Sequence, residues 1–452
     1  MRPIARLALY ESRTLLRSRG LWLAWTLLLL AGWLATLQGH AQIQTQRALI
    51  EQLPAIHQQD LAYLQQRFPE ATEAGNPGYY LFMPTNHPPS AYADLAVGVS
   101  DTVPSTMKVR LLGLYSQLFD AELLNPQVAS VGPYDFAFFI IFILPVWLIL
   151  LCHGLLARDE EEGTGPLLRA HSASLWPLLL VRIGLRFLMT LTACLLLLLA
   201  ASLWIGIEWD GRLLAWAGLV FSYLLFWSAV CCVVVALRRS SVWTAVVLLA
   251  IWTLLVLITP ATLSAWNEQR YPLSDIAQLV LKQRQVVHTG WDLPKEQTFE
   301  RFFQNHPEWS ETAPVTERFH WKWYYAMHQV GDESIAAELA HYRQQLAQRE
   351  QADRLASWWL PTVGMQRGLT GLANTDLVDH LVYLDSIAAY HAELRSFYYP
   401  LLFDDLPFAP GDVARLPRHQ MQSPPVRWPL AAGLGMLLWS GLLLMLARRR
   451  LG

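Results

Sequence analysis

The chain has 452 residues, of which 54% are hydrophobic and 15% charged, with a formal net charge of −2. Soluble domains carry about 25% charged residues, so this composition, with a mean hydropathy of +0.26, points to a membrane protein. The near-neutral balance argues against nucleic-acid partners, which favour a basic face.

Residues 1–20 hold Arg2, Arg6, Arg13, Arg17 and Arg19 against a single acid, Glu11. Apolar residues recur among them (Ile4, Leu7, Ala8, Leu15, Leu16), which predicts an amphipathic helix at the membrane surface. Residues 21–37 form an apolar run long enough for a first span. A cleaved signal peptide is the rival, because Gly39-His40-Ala41 resembles a cleavage site. The run is long for that, and five more apolar runs follow, so a retained span is expected. Residues 38–133 are polar. Positions 42–68 have helical spacing, and Pro84, Pro88, Pro89 and Pro104 then interrupt regularity. They read as a first extracytoplasmic domain.

Residues 134–156 are the second span, with Pro145 inside it, tolerated where neighbouring helices repair the lost bond. Residues 157–186 are a polar connection: an acidic cluster, a Gly-Thr-Gly turn, then a surface helix carrying Arg182 and Arg186, which can snorkel. Spans three, four and five follow at 187–207, 213–237 and 242–263. A second polar region, 264–427, has helical periodicity and ends in a proline-rich exit. Span six is 428–447, and 448–452 is a basic tail.

Cys152, Cys194, Cys231 and Cys232 are the only cysteines. All sit in apolar runs, so neither polar region has a disulfide framework or a thiolate zinc site. With the N-terminus inside, the positive-inside rule places 158–186, Arg238-Arg239 and Arg448, Arg449 and Arg450 all in the cytoplasm. Both polar domains then lie outside. The expected fold is therefore mainly α: a six-span helical membrane protein with two mostly helical extracytoplasmic domains, between spans 1–2 and 5–6.

The chemistry-bearing motifs are few. No GxxxxGK[ST] phosphate loop occurs, so ATP, if used, is hydrolysed by a partner. HExxH and GxSxG are also absent. Glu317/His320 and Glu338/His341 have the ExxH spacing of di-iron bundles, but that site needs two further carboxylates. His288, His306, His320, His328 and His341 read as ordinary surface histidines, and no metal or cofactor is expected on this chain. The spans lack the buried Asp, Glu or Lys of an ion-coupled carrier. They offer only modest polar seams, at Thr190, Thr192 and Ser202 and at Ser222 and Ser228.

Glu160, Glu161, Glu162, Gly163 and Thr164, followed by Pro166 and Arg169, could dock a partner or could be a solvated loop favoured by a helix dipole. The order of acidic cluster, Gly-Thr, short basic helix and next span resembles ABC transporter permeases of the ABC-2 type, of the type V exporter kind. That resemblance implies that Glu160–Thr164 and Arg169 belong to a coupling element that meets an ATPase. A second set of residues resembles the outer domain of the permease subfamily labelled domain of unknown function 3526. It comprises Trp359-Leu360-Pro361, Arg367, Leu372-Ala373-Asn374-Thr375-Asp376, His380, Tyr390 and Arg395, with Trp323-Tyr324-Tyr325 and Gly331-Asp332. Arg367, Thr375, Asp376 and His380 are its motif residues. Asp376 and His380, four apart on a helix, are expected to make a local contact.

The resemblance implies a permease subunit of an ATP-driven exporter in a Gram-negative inner membrane, with both termini cytoplasmic. ABC ATPase subunits holding ATP and Mg²⁺, a second copy or related permease, and the lipid bilayer are the implied partners, with a periplasmic protein as a further candidate. A mechanotransmission or scaffold subunit that transports nothing, and a membrane enzyme, are the alternatives.

Overall fold

The computed structural model describes residues 2–119, 133–171, 174–421 and 425–451. Parts of the expected first outer domain (120–132), coupling connection (172–173), proline-rich exit (422–424) and basic tail (452) lie outside them. Six helices are long and apolar enough to cross a membrane. In chain order the helices used below are α1 (Arg2–Arg17), α2 (Arg19–Arg67), α3 (Phe136–Glu161), α4 (Gly165–His171), α5 (Trp176–Ile205), α6 (Gly211–Val235) and α7 (Ser241–Arg270). They continue with α8 (Ile276–Thr289), α9 (Lys295–Asn305), α10 (Trp321–Glu333), α11 (Ala336–Ala356), α12 (Pro361–Ala373), α13 (Leu377–Phe403) and α14 (Leu430–Leu451). The apolar helices α2, α3, α5, α6, α7 and α14 are the candidate spans.

The first span and the helix expected at 42–68 are one element, the 49-residue α2. At 1.5 Å per residue it is about 74 Å long, more than twice the hydrocarbon thickness. Nothing breaks it at Gly39, because a loop packs there instead. Asp94, fully buried, accepts from Arg47 Nη2 (2.6 Å) and pairs with His40 Nδ1 (2.7 Å).

Two spans widen into a π turn just upstream of a proline: Phe139–Ile143 before Pro145 and Thr253–Ile258 before Pro260. A proline removes one N–H and its ring clashes with the carbonyl four residues back. For Pro145 that carbonyl is Ile141, which receives the Tyr223 hydroxyl of α6 at 3.0 Å. Tyr223 is fully buried.

The surface helix expected to lead into span three is not separate. It is the first turns of the 30-residue α5. Its arginines turn inward instead of snorkelling: Arg186 Nε donates to Leu151 O at 2.9 Å, and Arg182 reaches the Leu155 carbonyl. A guanidinium satisfies carbonyls at the end of a neighbouring span, so the helix continues unbroken.

Residues 361–373, read as part of the second polar region, pack inside the bundle. Met365, Leu369 and Leu372 of α12 are fully buried in the same apolar core as α3, α6 and α14. Close approach explains the glycines: a Cβ on Gly364 would lie 3.0 Å from that of Ala432, and one on Gly368 would lie 2.8 Å from Leu219 Cδ1. The α11–α12 turn leads with Trp359, whose ring lies 6.5 Å from Trp439, nine residues along α14. That depth is about 14 Å, so α11 and α12 form a re-entrant hairpin.

Residues of both polar regions contribute to a common core. Leu64, Met83 and Val109 pack with Tyr325, Tyr383, Leu394 and Phe403. Two small antiparallel ladders complete this head: β1 (Thr72–Glu73) on β4 (Pro407–Phe408), and β2 (Met83–Asn86) on β3 (Thr106–Val109). A buried pair staples the segments. Asp332 Oδ2 accepts from Arg395 Nη2 (2.5 Å) and from Leu114 N (2.9 Å).

Two outcomes follow. Tyr223→Phe leaves Ile141 O without its hydroxyl and costs about 0.6–1.5 kcal/mol, read as a lower melting midpoint of the detergent-purified chain; an unchanged midpoint refutes the repair. His328, in the head beside Arg395 and Arg110, is pushed down to about 3 mainly by burial. Its folded value lies below the unfolded 6.5, so the stability it contributes is present above pH 6.5 and is lost as pH falls toward 3. Midpoints measured from pH 7 to pH 4 fall in the native chain and fall less in His328→Gln; parallel curves contradict the assignment.

Candidate coupling sites at the two ends of the bundle

At the arginine-rich end, the acidic loop is held by its own charges. Glu160 pairs with Arg169 and with Arg238 Nη2 (2.7 Å), on the turn joining α6 to α7. Glu161 accepts from the N–H (2.8 Å) and hydroxyl (2.9 Å) of Ser241, the first residue of α7. A carboxylate is favoured at that position by unsatisfied N–H groups and the helix dipole. Gly163 has φ +78°, and Thr164 Oγ1 donates to Asp159 O at 3.0 Å. Glu160, Gly163, Thr164 and Arg169 thus close a compact turn. Glu162 and Leu167 face outward, Leu167 with 62% of its surface exposed.

Behind the loop lies a cluster that sequence reasoning missed. Arg182 of α5 donates from Nε to Glu11 of α1 (2.8 Å) and from Nη1 to Asp159 (2.5 Å). All three are largely buried, at 15%, 11% and 20% side-chain exposure. The signal was present: an arginine seven residues into a span-forming run needs partners, and Glu11 is the one acid of an arginine-rich helix.

The other end carries the second motif. Arg367 of α12 and Glu350 of α11 make a two-pronged ion pair, with Nη1 to Oε2 at 2.7 Å, that ties the two arms of the hairpin together midway along α12. Asp353 receives Asn267 of α7 at 2.7 Å. Asp376 caps α13, accepting from Val378 N at 2.8 Å, and Arg427 bridges Asp376 (2.8 Å) and Asp379 (2.5 Å) just before α14. Burial pushes the Asp376 carboxyl up to about 6, with Arg427 opposing and Asp379 adding to the shift. Thr375 Oγ1 donates to Ala96 O (2.7 Å), and Thr375 O accepts Val99 N (2.9 Å). Thr375 therefore ties the 96–99 loop to the α12–α13 turn. His380 meets Asp376 through the helix bond from its N–H (3.3 Å), and its ring lies 6.5 Å from Tyr383.

A cavity of about 540 Å³ lies at this junction, bounded by Asp101, Phe138, Phe142, Gln366, Thr370 and Asp376. Asp135, also on its wall, caps α3, and burial pushes its carboxyl up to about 6.

The ExxH pairs have other duties. Glu317 and His320 lie in the non-helical stretch before α10, which His320 caps; Glu338 on α11 pairs with Lys282. Among the described residues no group of three or more His, Cys, Asp or Glu could hold a metal ion.

Comparison with known families fits this arrangement. The profile of the ABC-2 family transporter protein matches residues 5–288, and that of the domain of unknown function DUF3526 matches residues 277–422. No curated protein and no solved structure matches the chain. The first match spans more than half of the sequence and includes the acidic loop, the Arg182 cluster and five of the six candidate spans. The chain belongs to the ABC-2 family of transporter membrane proteins, as a permease component of an ABC transporter.

Proposed function

We propose that a separate ATPase subunit, holding ATP and Mg²⁺, docks on the 157–171 loop, and that its closure is relayed through the bundle to drive export. The Arg182 cluster carries the reading. It joins the loop to α1 and α5, so a push on the loop displaces these elements as one body,. Glu162 and Leu167 are the docking face, and Glu160 and Glu161 shape the loop behind it. At the far end the hairpin, clamped by Arg367 and Glu350, fills the exit between α3, α6 and α14 and acts as the gate.

The basic clusters support a cytoplasmic position for both termini and the loop, with the head periplasmic at a bacterial inner membrane. Two permease copies, or this chain and a related one, flank the path. One observation favours a second reading, work on a periplasmic protein without transport: α2 runs unbroken from the bundle into the head, which suits a lever.

Three measurements test this. Glu162→Ala with Leu167→Ala lowers the amount of ATPase subunit that co-purifies; undiminished recovery removes the docking face. Arg182→Gln preserves co-purification and lowers the ATPase activity of the complex several-fold, and unchanged activity takes the cluster out of the mechanism. The four native cysteines are buried, so introduced ones report cleanly. An impermeant maleimide labels Gln44→Cys and Gln297→Cys in intact cells but not Glu162→Cys; the reverse pattern inverts the topology.

A further inference from the structure

The bundle contains an apolar groove that the coupling reading does not use. It lies between α6, α7 and α14, with walls that include Val230, Val234, Ile251, Leu255 and Leu443. Trp359, at the tip of the re-entrant hairpin, also lines it. Every described lining residue is apolar, and the volume is about 260 Å³. That is below the roughly 300–1,000 Å³ of small-molecule sites, and it suits a single flexible chain better than a ring system.

Its depth is informative. Val230 and Val234 lie in the last two turns of α6, and Leu443 lies eight residues before the end of α14. Ile251 and Leu255 are about 15 and 21 Å along α7 from its start. The groove therefore lies toward the arginine-rich end of the bundle, with the hairpin tip on its wall. The π turn of α7, Thr253–Ile258, contributes Leu255 to the wall, and such turns recur at functional positions,.

Beyond the groove toward that end the chain is cationic. The turn joining α6 to α7, five residues past Val234, carries Arg239, and α14 ends, from five residues past Leu443, in Arg448, Arg449 and Arg450. All four are exposed, and none has an ion pair among the described residues, whereas Arg238 is taken by Glu160. Basic clusters at helix ends beside apolar clefts attract acidic headgroups.

We propose that this groove seats one acyl chain of an anionic phospholipid, with its headgroup on Arg239 and the arginines that end α14. The charge beyond the groove selects the headgroup, and the unbroken apolarity of the walls selects the chain. Only the name of the leaflet, cytoplasmic, rests on the topology proposed above. A lipid held there would fill the space beside the hairpin tip and brace it against α7.

The test uses the purified full chain without any ATPase subunit, so its outcome is independent of the transport reading. Phosphatidylglycerol and phosphatidylcholine are added in equal amounts, and retained lipid is counted by native mass spectrometry. The native chain is expected to keep one phosphatidylglycerol in preference. Arg239→Gln with Arg449→Gln should lower that preference by at least roughly fivefold, the effect of about one surface cation, while one lipid is still retained. Leu443→Trp and, separately, Leu255→Trp fill the groove and should abolish retention of both lipids without changing the elution profile. Equal retention of the two lipids by the native chain overturns the proposal. So does undiminished retention in both tryptophan variants. Conversion of a dimer to a monomer by either variant also overturns it, because the groove is then a seam between copies.

Discussion

Hydrocarbon offers no water to a polar backbone, so every irregularity within the bundle needs a protein partner. This constraint orders the molecule. Pro145 withholds a donor from Ile141 O, and Tyr223 supplies one from α6. The last turns of α3 release the Leu151 and Leu155 carbonyls, and Arg186 and Arg182 take them. The hairpin enters the core on an apolar helix whose glycines let α6 and α14 approach. Each repair also joins two helices, so satisfying the backbone couples the spans.

The consequence is a bundle whose two ends are braced differently. At the arginine-rich end, ion pairs gather α1, the acidic loop, the α6–α7 turn and α5 into one cluster. At the other end, carboxylates and two arginines fix the hairpin and the start of α13. Such partly buried pairs are costly to break by removing one partner and add little over an apolar substitute. They are better understood as fixing registry than as a reserve of stability. Between them, α3 and α7 each carry a π turn, and the head has one core stapled by Asp332 and Arg395.

Much of this was legible in the sequence. Apolar runs revealed the six candidate spans, because hydrophobic length is a direct reading of bilayer thickness. The family resemblance, carried by Glu161-Glu162-Gly163-Thr164 and by the Arg367–Arg395 motif residues, held. What escaped is long-range. Arg182 looked like a snorkelling residue, because its partners Glu11 and Asp159 lie 171 and 23 positions away. Residues 361–373 looked like part of an outer domain because Gln366 and Arg367 interrupt their apolarity. Only the fold shows Arg367 meeting Glu350, and the two polar regions sharing one core. The sequence divides span one (21–37) from the helical spacing at 42–68, whereas the fold joins them in α2, against which Asp94, 54 positions from His40, packs.

The central claim is that an ATPase meets this chain at the acidic loop. A photocrosslinking amino acid placed at Leu167 in native membranes tests it most directly, with one at Leu281, an exposed head position, as the comparison. The account predicts an adduct with the ATPase subunit from position 167 and none from 281. An adduct from 281 with none from 167 would contradict it.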